Sequence, residues 1–119
     1  MAAPNIVNVS TITGKSALAN VTTSFANLVV NSTSSGKVFK VNSLYISNID
    51  GLLTSNISIG LNRGGFSYSL ANTISVPSDS TLTVVVKDTS FYLEEGDYVE
   101  IKADANNRIH AICSYEELS

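Results

Sequence analysis

Apolar and polar residues alternate along most of this chain, with a period of two and almost no trace of the 3.6-residue period of a helix. Five segments alternate most clearly: "SNISIGL" (55–61), "FSYSL" (66–70), "STLTVVVKD" (80–88), "DYVEIKA" (97–103) and "RIHAICSY" (108–115). Such alternation predicts half-buried β-strands. We expect Leu82, Val84 and Val86 to face inward in the third segment, and Phe66 and Tyr68 to face inward in the second.

Turn signals separate these segments. Asp50-Gly51, the "NRGG" sequence at 62–65 and "DANNR" at 104–108 supply residues that tolerate tight turns, and Pro77 cannot donate to a strand ladder. Short connections of this kind join antiparallel neighbours.

The segment 37–48 changes parity within its own length. Its apolar positions shift from Phe39 and Val41 to Leu44 and Ile46. A slip of one residue exchanges the two faces of a strand, so the sequence predicts a bulge near residues 42–43.

The first 24 residues carry a weaker signal. "NIVNVSTITG" alternates in part, whereas the loop "NSTSSG" at 31–36 is flexible by composition. Residues 1–24 are therefore predicted to be either an N-terminal arm that packs on a neighbouring subunit or an edge strand of the same domain.

With 119 residues the chain has the size of a single domain spanning residues 1–119. About eight to nine short strands with regularly spaced turns predict an all-β fold, an antiparallel β-sandwich that can take the form of a jelly roll.

Composition narrows the classes of function. Charged residues make up 14% of the chain and the net charge is −3, with only seven Lys and Arg, which does not suit a nucleic-acid-binding protein. No signal peptide and no membrane-spanning run is expected. The low charge, with abundant Ser, Thr and Asn, favours a surface that packs against other protein.

Candidate catalytic chemistry is sparse. The single histidine, His110, lies three residues before the single cysteine, Cys113, so on a strand the two side chains point to opposite faces. No motif positions a serine nucleophile and no Cys/His cluster suits zinc. The sequence predicts no catalytic residue, no cofactor and no metal site, and hence a protein that is not an enzyme.

Three carboxylates cluster in "YLEEGD" at 92–97. Glu94, Glu95 and Asp97 could contribute to a calcium site, but calcium needs six to eight oxygen ligands and this set is incomplete. The favoured interpretation is a turn in which Gly96 takes a positive φ and Asp97 caps the backbone.

Exposed aromatic residues are the remaining candidates for a function. Tyr45, Tyr92 and Tyr98 lie in or beside predicted strands, where tyrosine serves equally well in a core or in an interface.

Four stretches together resemble a family of small virion structural proteins of tailed bacteriophages, of the type found in cyanobacterial phages. They are "KVNSLYISN" at 40–48, "ISVPSDSTL" at 74–82, "YLEEGD" at 92–97 and "SYEE" at 114–117. The resemblance spans about residues 36–119, and all four stretches are structural rather than catalytic.

The resemblance implies a β-sandwich in the virion, made in the cytoplasm of the bacterial host. A head decoration, or cement, protein would bind the major capsid protein as a small homo-oligomer, with a trimer favoured. A tail, baseplate or fibre component would instead bind tail proteins, a glycan or a receptor; an isolated sugar-binding module is a third class. Neither nucleic acid nor membrane is an expected partner. We predict the interface at an N-terminal arm, with Ile6, Val7 and Val9, and at the outward-facing Tyr45.

Overall fold

The computed structural model of the chain describes residues 9–119, which fold into nine strands in two sheets. The strands are β1 Ile12–Val21, β2 Ala26–Val30, β3 Val38–Asn48, β4 Ser55–Arg63, β5 Phe66–Val76, β6 Thr81–Val85, β7 Phe91–Leu93, β8 Tyr98–Ala103 and β9 Ile109–Leu118. Within these residues the one helical segment is a 3₁₀ turn at Lys87–Thr89. No helix in residues 9–119 has the length and apolarity needed to cross a bilayer.

The strand order is that of a jelly roll. Sheet A has the order β1-β9-β3-β6, with β7 also paired to β3, and sheet B has the order β2-β8-β4-β5. The antiparallel pairs β1–β9, β2–β8, β3–β6/β7 and β4–β5 form one long double ribbon, which is rolled up so that β9 also pairs with β3 and β8 with β4. The predicted all-β antiparallel sandwich with eight to nine strands is confirmed.

The core lies between the two sheets and is built from alternate residues of the central strands. Its largest fully buried apolar side chains are Val41, Leu44 and Ile46 from β3, Ile57 and Ile59 from β4, Val76 from β5, Leu93 from β7, Val99 and Ile101 from β8, and Ile109 from β9. Burial of each such side chain contributes about 1.5–3 kcal/mol. The alternation predicted for β4, β8 and β9 is therefore the alternation of core and surface.

The bulge predicted in β3 is confirmed. The register between β3 and β9 shifts between Val41 and Ser43, so the inward side passes from Val41 to Leu44. The extra residue is Asn42, whose side-chain amide donates to the Glu116 carboxylate at 2.7 Å. This shift keeps β3 in the core on both sides of the bulge.

Two details of the predicted burial are wrong. In β6 the inward residue at the end of the strand is Val85 and not Val86, which is 44% exposed, because a bulge at Val84 of β6 places Val85 opposite Leu44. In β5, Tyr68 points to the inner side of the sheet as predicted, but both it and Phe66 are mostly exposed, because this strand lies at the edge of sheet B.

Residues 12–21 of the N-terminal stretch form an edge strand. Among the strands that the structure describes, β1 lies at one edge of sheet A and pairs only with β9, with Ile12 opposite Leu118. Val9 precedes the strand and is half-buried. Ile6 and Val7 lie outside the described residues.

Candidate interaction surfaces

The outer face of sheet A carries three exposed apolar side chains in one row across the strands. Strand register places Leu18 of β1 opposite Ile112 of β9, and Ile112 opposite Tyr45 of β3. Their residues are 73%, 43% and 41% exposed, respectively. Residues directly opposite one another in a sheet point to the same face, so these three side chains form one continuous apolar stripe.

Short polar side chains flank the apolar stripe on both sides. The neighbouring rows contain Ser16, Ser114 and Ser43 on one side and Asn20, His110, Ser47 and Thr81 on the other. Within the second row the hydroxyls of Ser47 and Thr81 lie 3.0 Å apart and form a hydrogen bond. An apolar centre within a polar, uncharged surround has the composition of a protein–protein interface, where the fully buried centre is depleted in charge.

Tyr45 also borders a shallow groove of about 420 Å³ on the same face. The other residues that line it are Lys40, Asn42, Ser43, Val86, Lys87 and Glu116. The groove lies beside the bulge in β3 and just beyond the end of β6, where the pairing between these two strands stops. Tyr45 thus belongs to the apolar stripe and also borders a groove that contains two lysines and one glutamate.

The structure places the predicted interface residues at different positions on the sheet. Val9 precedes β1, whereas Tyr45 is level with Leu18, six residues into that strand and about 20 Å along it at 3.4 Å per residue. Leu18 and Ile112 were not among the predicted residues. Ile112 could have been found from the sequence. It is an apolar residue at a position of β9 where the alternation predicts a polar one, between the inward-facing Ala111 and Cys113.

The "YLEEGD" segment is a turn, and its Asp97 is buried. Gly96 has a φ of +91°, as the turn interpretation requires. The Asp97 carboxylate is 2% exposed; it accepts the backbone N–H of Glu94 at 2.8 Å and two bonds from Arg63, from Nε to Oδ1 at 3.0 Å and from Nη2 to Oδ2 at 2.7 Å. Glu95 is not fully solvated, since it accepts the N–H of Gly36 at 3.2 Å. The segment therefore holds structure together.

Asn31 completes this junction and was not anticipated from the sequence. It is fully buried, and its side-chain amide donates to the carbonyl oxygens of Lys37 at 2.9 Å and Leu93 at 3.0 Å. Its backbone N–H donates to the Asp97 carbonyl, and its own carbonyl accepts from Gly96. The "NSTSSG" loop is consequently anchored at its first residue to the turn at 94–97.

The side chains with catalytic potential do not assemble. His110 is exposed on the outer face of β9, whereas Cys113 is fully buried on the inner face, as the alternation predicts. Burial raises the pKa of the Cys113 thiol to about 12, which keeps it protonated at neutral pH. Within residues 9–119 no three His, Cys, Asp or Glu side chains gather in an arrangement that could hold a metal ion.

Comparison with known proteins identifies relatives in fold. No protein-family model matches the chain, and no curated protein matches its sequence. Among solved structures, a chain from the acid-stable capsid of Helicobacter pylori bacteriophage KHP30 is similar, with a TM-score of 0.56 and 10% sequence identity over 93% of this chain and 90% of that chain. A chain from Bacillus endospore appendages, a family of disulfide-linked pili, has a TM-score of 0.54 and 19% identity over 92% of this chain and 88% of that one.

These likenesses establish a shared fold over nearly the whole chain. Neither similar structure comes from a cyanobacterial phage. One belongs to a capsid and the other to a pilus, so in both cases the sandwich occurs in a multi-subunit assembly.

Proposed function

We propose that this protein is a non-enzymatic structural component of a tailed-phage virion, a decoration protein that binds the major capsid protein on the head surface. The apolar stripe of Leu18, Ile112 and Tyr45 is the observation that carries the proposal. The chain would be made in the host cytoplasm and would act as a small homo-oligomer.

The stripe has the features of a binding centre. Each of its three side chains projects from a different strand of a rigid sheet, so little conformational entropy is lost when a partner covers them. Tyr45 offers an aromatic ring with a hydroxyl, a residue type that often dominates binding energy. The surrounding Ser, Thr and Asn residues can form a polar rim around the contact.

Two further observations support a structural role. The fold is shared with a chain from a phage capsid and with a chain from a pilus. The catalytic side-chain types, His110 and Cys113, lie on opposite faces of β9. A decoration protein needs only shape, burial and an interface, all of which a jelly roll of this size can provide.

A tail, baseplate or fibre component is the alternative function. The likeness to a pilus subunit favours it, because a pilus, like a phage tail, is an elongated assembly. In that case the stripe would contact a tail protein, and a glycan or receptor would be the further ligand.

Imaging of virions with added labelled protein separates the two locations. We expect cryo-electron microscopy to show density over the capsid lattice of the encoding phage. Density confined to the tail would overturn the head location and support the alternative.

Matched variants test the role of the stripe. Tyr45→Ser and Leu18→Ser should each weaken binding to purified heads about tenfold or more, while the folded domain keeps its thermal stability because both residues are exposed. Phe25→Ser is the control, since Phe25 is 46% exposed and contacts Lys102 of sheet B. Equal binding by all three variants would show that the stripe does not contact the head.

A further inference from the structure

Strand β5 presents core-facing apolar side chains that no part of sheet A covers. Tyr68 lies opposite Leu61 of β4, and Ile74 lies opposite Ile57, so both point to the inner side of sheet B. Ile57 is 1% exposed, but Tyr68 is 58% exposed and Ile74 40%. Phe66, two residues before Tyr68, is 65% exposed, and the two rings lie 5.1 Å apart. We call Phe66 and Tyr68 the β5 seam.

The seam exists because the strand above it is interrupted. β5 has eleven residues, whereas the facing edge of sheet A consists of the five-residue β6, a 3₁₀ turn and the three-residue β7. The core-facing side of β5 therefore extends beyond the sheet that would cover it. In the monomer, apolar side chains that belong to the core side are left in contact with solvent.

The backbone of β5 is open along the same edge. Among residues 9–119 the strand pairs only with β4, so its other side offers N–H and C=O groups that no described strand pairs. Its sequence, "FSYSLANTISV", contains no charged residue and no proline, the two residue classes that usually protect edge strands from pairing. It pairs regularly with β4 at Phe66–Ser69 and again at Ile74–Val76, and two register shifts separate these stretches.

We propose that a second copy of this chain covers the seam, with β5 pairing antiparallel to β5 of the other copy about a two-fold axis near Tyr68. A two-fold contact places a strand opposite an identical copy of itself, so a charged residue near the axis would face a like charge. Because β5 contains no charged residue, this repulsion does not arise. Antiparallel pairing keeps the core-facing sides of both strands together. The four aromatic rings of the two copies would then cover one another.

The two aromatic side chains supply a large part of the area that a stable contact needs. A whole aromatic side chain offers about 150–250 Å², so the exposed parts of Phe66 and Tyr68 provide roughly 200–300 Å² per copy. Two copies thus contribute about half of the roughly 1,000 Å² expected of a specific interface. The backbone of the paired strands supplies further area.

The β5 seam and the apolar stripe are separate surfaces. The seam lies on the inner side of sheet B, at the edge opposite β2, and the stripe lies on the outer face of sheet A. A two-fold seam builds a dimer, in place of the trimer that the family resemblance implies. Each dimer would carry two stripes, whether or not those stripes bind a phage head.

The mass of the full chain in solution tests the seam. Sedimentation velocity at roughly 100 µM, well above the ~µM dissociation constants of transient contacts, should give about 25 kDa, twice the monomer mass of 12.6 kDa. A monomer at this concentration, or a trimer, would overturn the two-fold pairing.

A charge-introducing variant and its control locate the contact. Tyr68→Lys should raise the dimer dissociation constant about tenfold or more, because it places two lysines beside the two-fold axis. Tyr45→Lys makes the same change at another exposed tyrosine and should leave the dimer intact. If Tyr45→Lys dissociated the dimer and Tyr68→Lys did not, the contact would lie outside β5.

Hydrogen exchange provides a test that requires no substitution. Backbone amides in Phe66–Ser69 that point away from β4 should exchange more slowly at 100 µM than at about 1 µM, where mass action dissociates the dimer. Equal exchange at both concentrations would count against pairing along β5 even if Tyr68→Lys failed to fold.

Discussion

Arg63 binds the buried carboxylate of Asp97 with two of its nitrogens, and this ion pair joins the β4–β5 hairpin to the turn before β8. The same carboxylate caps the turn through the N–H of Glu94. One side chain thereby connects two segments of sheet B, and the turn depends on it.

Asp97→Asn should destabilise the protein by about 2–3 kcal/mol, because the ion pair with Arg63 is lost while a polar group stays buried. The measurement is the free energy of unfolding from urea titration. Glu94→Gln is the matched control: this glutamate also contacts Arg63, at 2.6 Å, but both side chains are at least half exposed. Its loss should therefore cost less than about 1 kcal/mol. Equal losses in the two variants would contradict a special role for Asp97.

Gly96→Ala should cost about 1–2 kcal/mol, because a φ of +91° is strained for any residue with a Cβ. Steric contact is not the cause, since the nearest atom to an added Cβ is Thr33 Oγ1 at 3.7 Å. Gly96→Val should cost more. Gly14→Ala, in strand β1 with nothing within 4 Å, should leave stability unchanged or raise it by about 0.5 kcal/mol. Thermal unfolding of the variants checks this, and an unchanged melting temperature in Gly96→Ala would show that the turn relaxes.

Acid should weaken the contact between β1 and the start of β3. Burial by itself would raise the pKa of Glu117, but hydrogen bonds from Lys37 at 2.9 Å and an ion pair with Lys15 at 3.0 Å hold that pKa below its ordinary value. A carboxylate whose pKa is lower in the folded state stabilises the fold above its unfolded pKa of about 4.3, and this stabilisation is lost as the pH falls through the folded pKa.

The comparison of wild type with Glu117→Gln isolates this effect. The wild type should have the higher melting temperature at pH 6, and the difference should shrink as the pH falls below the ordinary glutamate pKa of about 4.3, where Glu117 becomes protonated. A constant difference over this range would mean that Glu117 stabilises the fold through its shape alone.

The thiol of Cys113 should not react with alkylating reagents in the native protein. It is fully buried, and a pKa of about 12 leaves only about one molecule in 10⁴ as thiolate at pH 8. Labelling followed by mass spectrometry should show modification in 8 M urea and none in buffer. Ser114→Cys in a Cys113→Ala background is the control and should be modified in buffer, since residue 114 lies half-buried on the outer face. Rapid native labelling at Cys113 would reveal opening of the sandwich.

Much of the fold could be predicted from alternation, because a half-buried strand imposes a period of two on its own sequence. The bulge in β3 was predictable for the same reason: the inward positions change parity between Val41 and Leu44. Alternation and its change of parity both lie within a single strand, so each can be recognised from the sequence of that strand alone.

The surfaces required information that no single strand carries. The exposure of Tyr68 depends on the interruption of the facing strand after Val85, and the apolar stripe depends on the registers of three strands that are distant in sequence. The partner of Asp97 lies 34 residues away. Alternation predicts which residues share a face, but not what covers that face.

The position of β9 in sheet A has a consequence for synthesis on the ribosome. β9 lies between β1 and β3, and it pairs Ile12 with Leu118, near opposite ends of the chain. Among the described strands, β1 thus has no neighbour in sheet A until residues 109–118 have emerged. Since non-local pairing of this kind forms slowly, the exposed apolar residues of the unpaired strands would depend on chaperones until then.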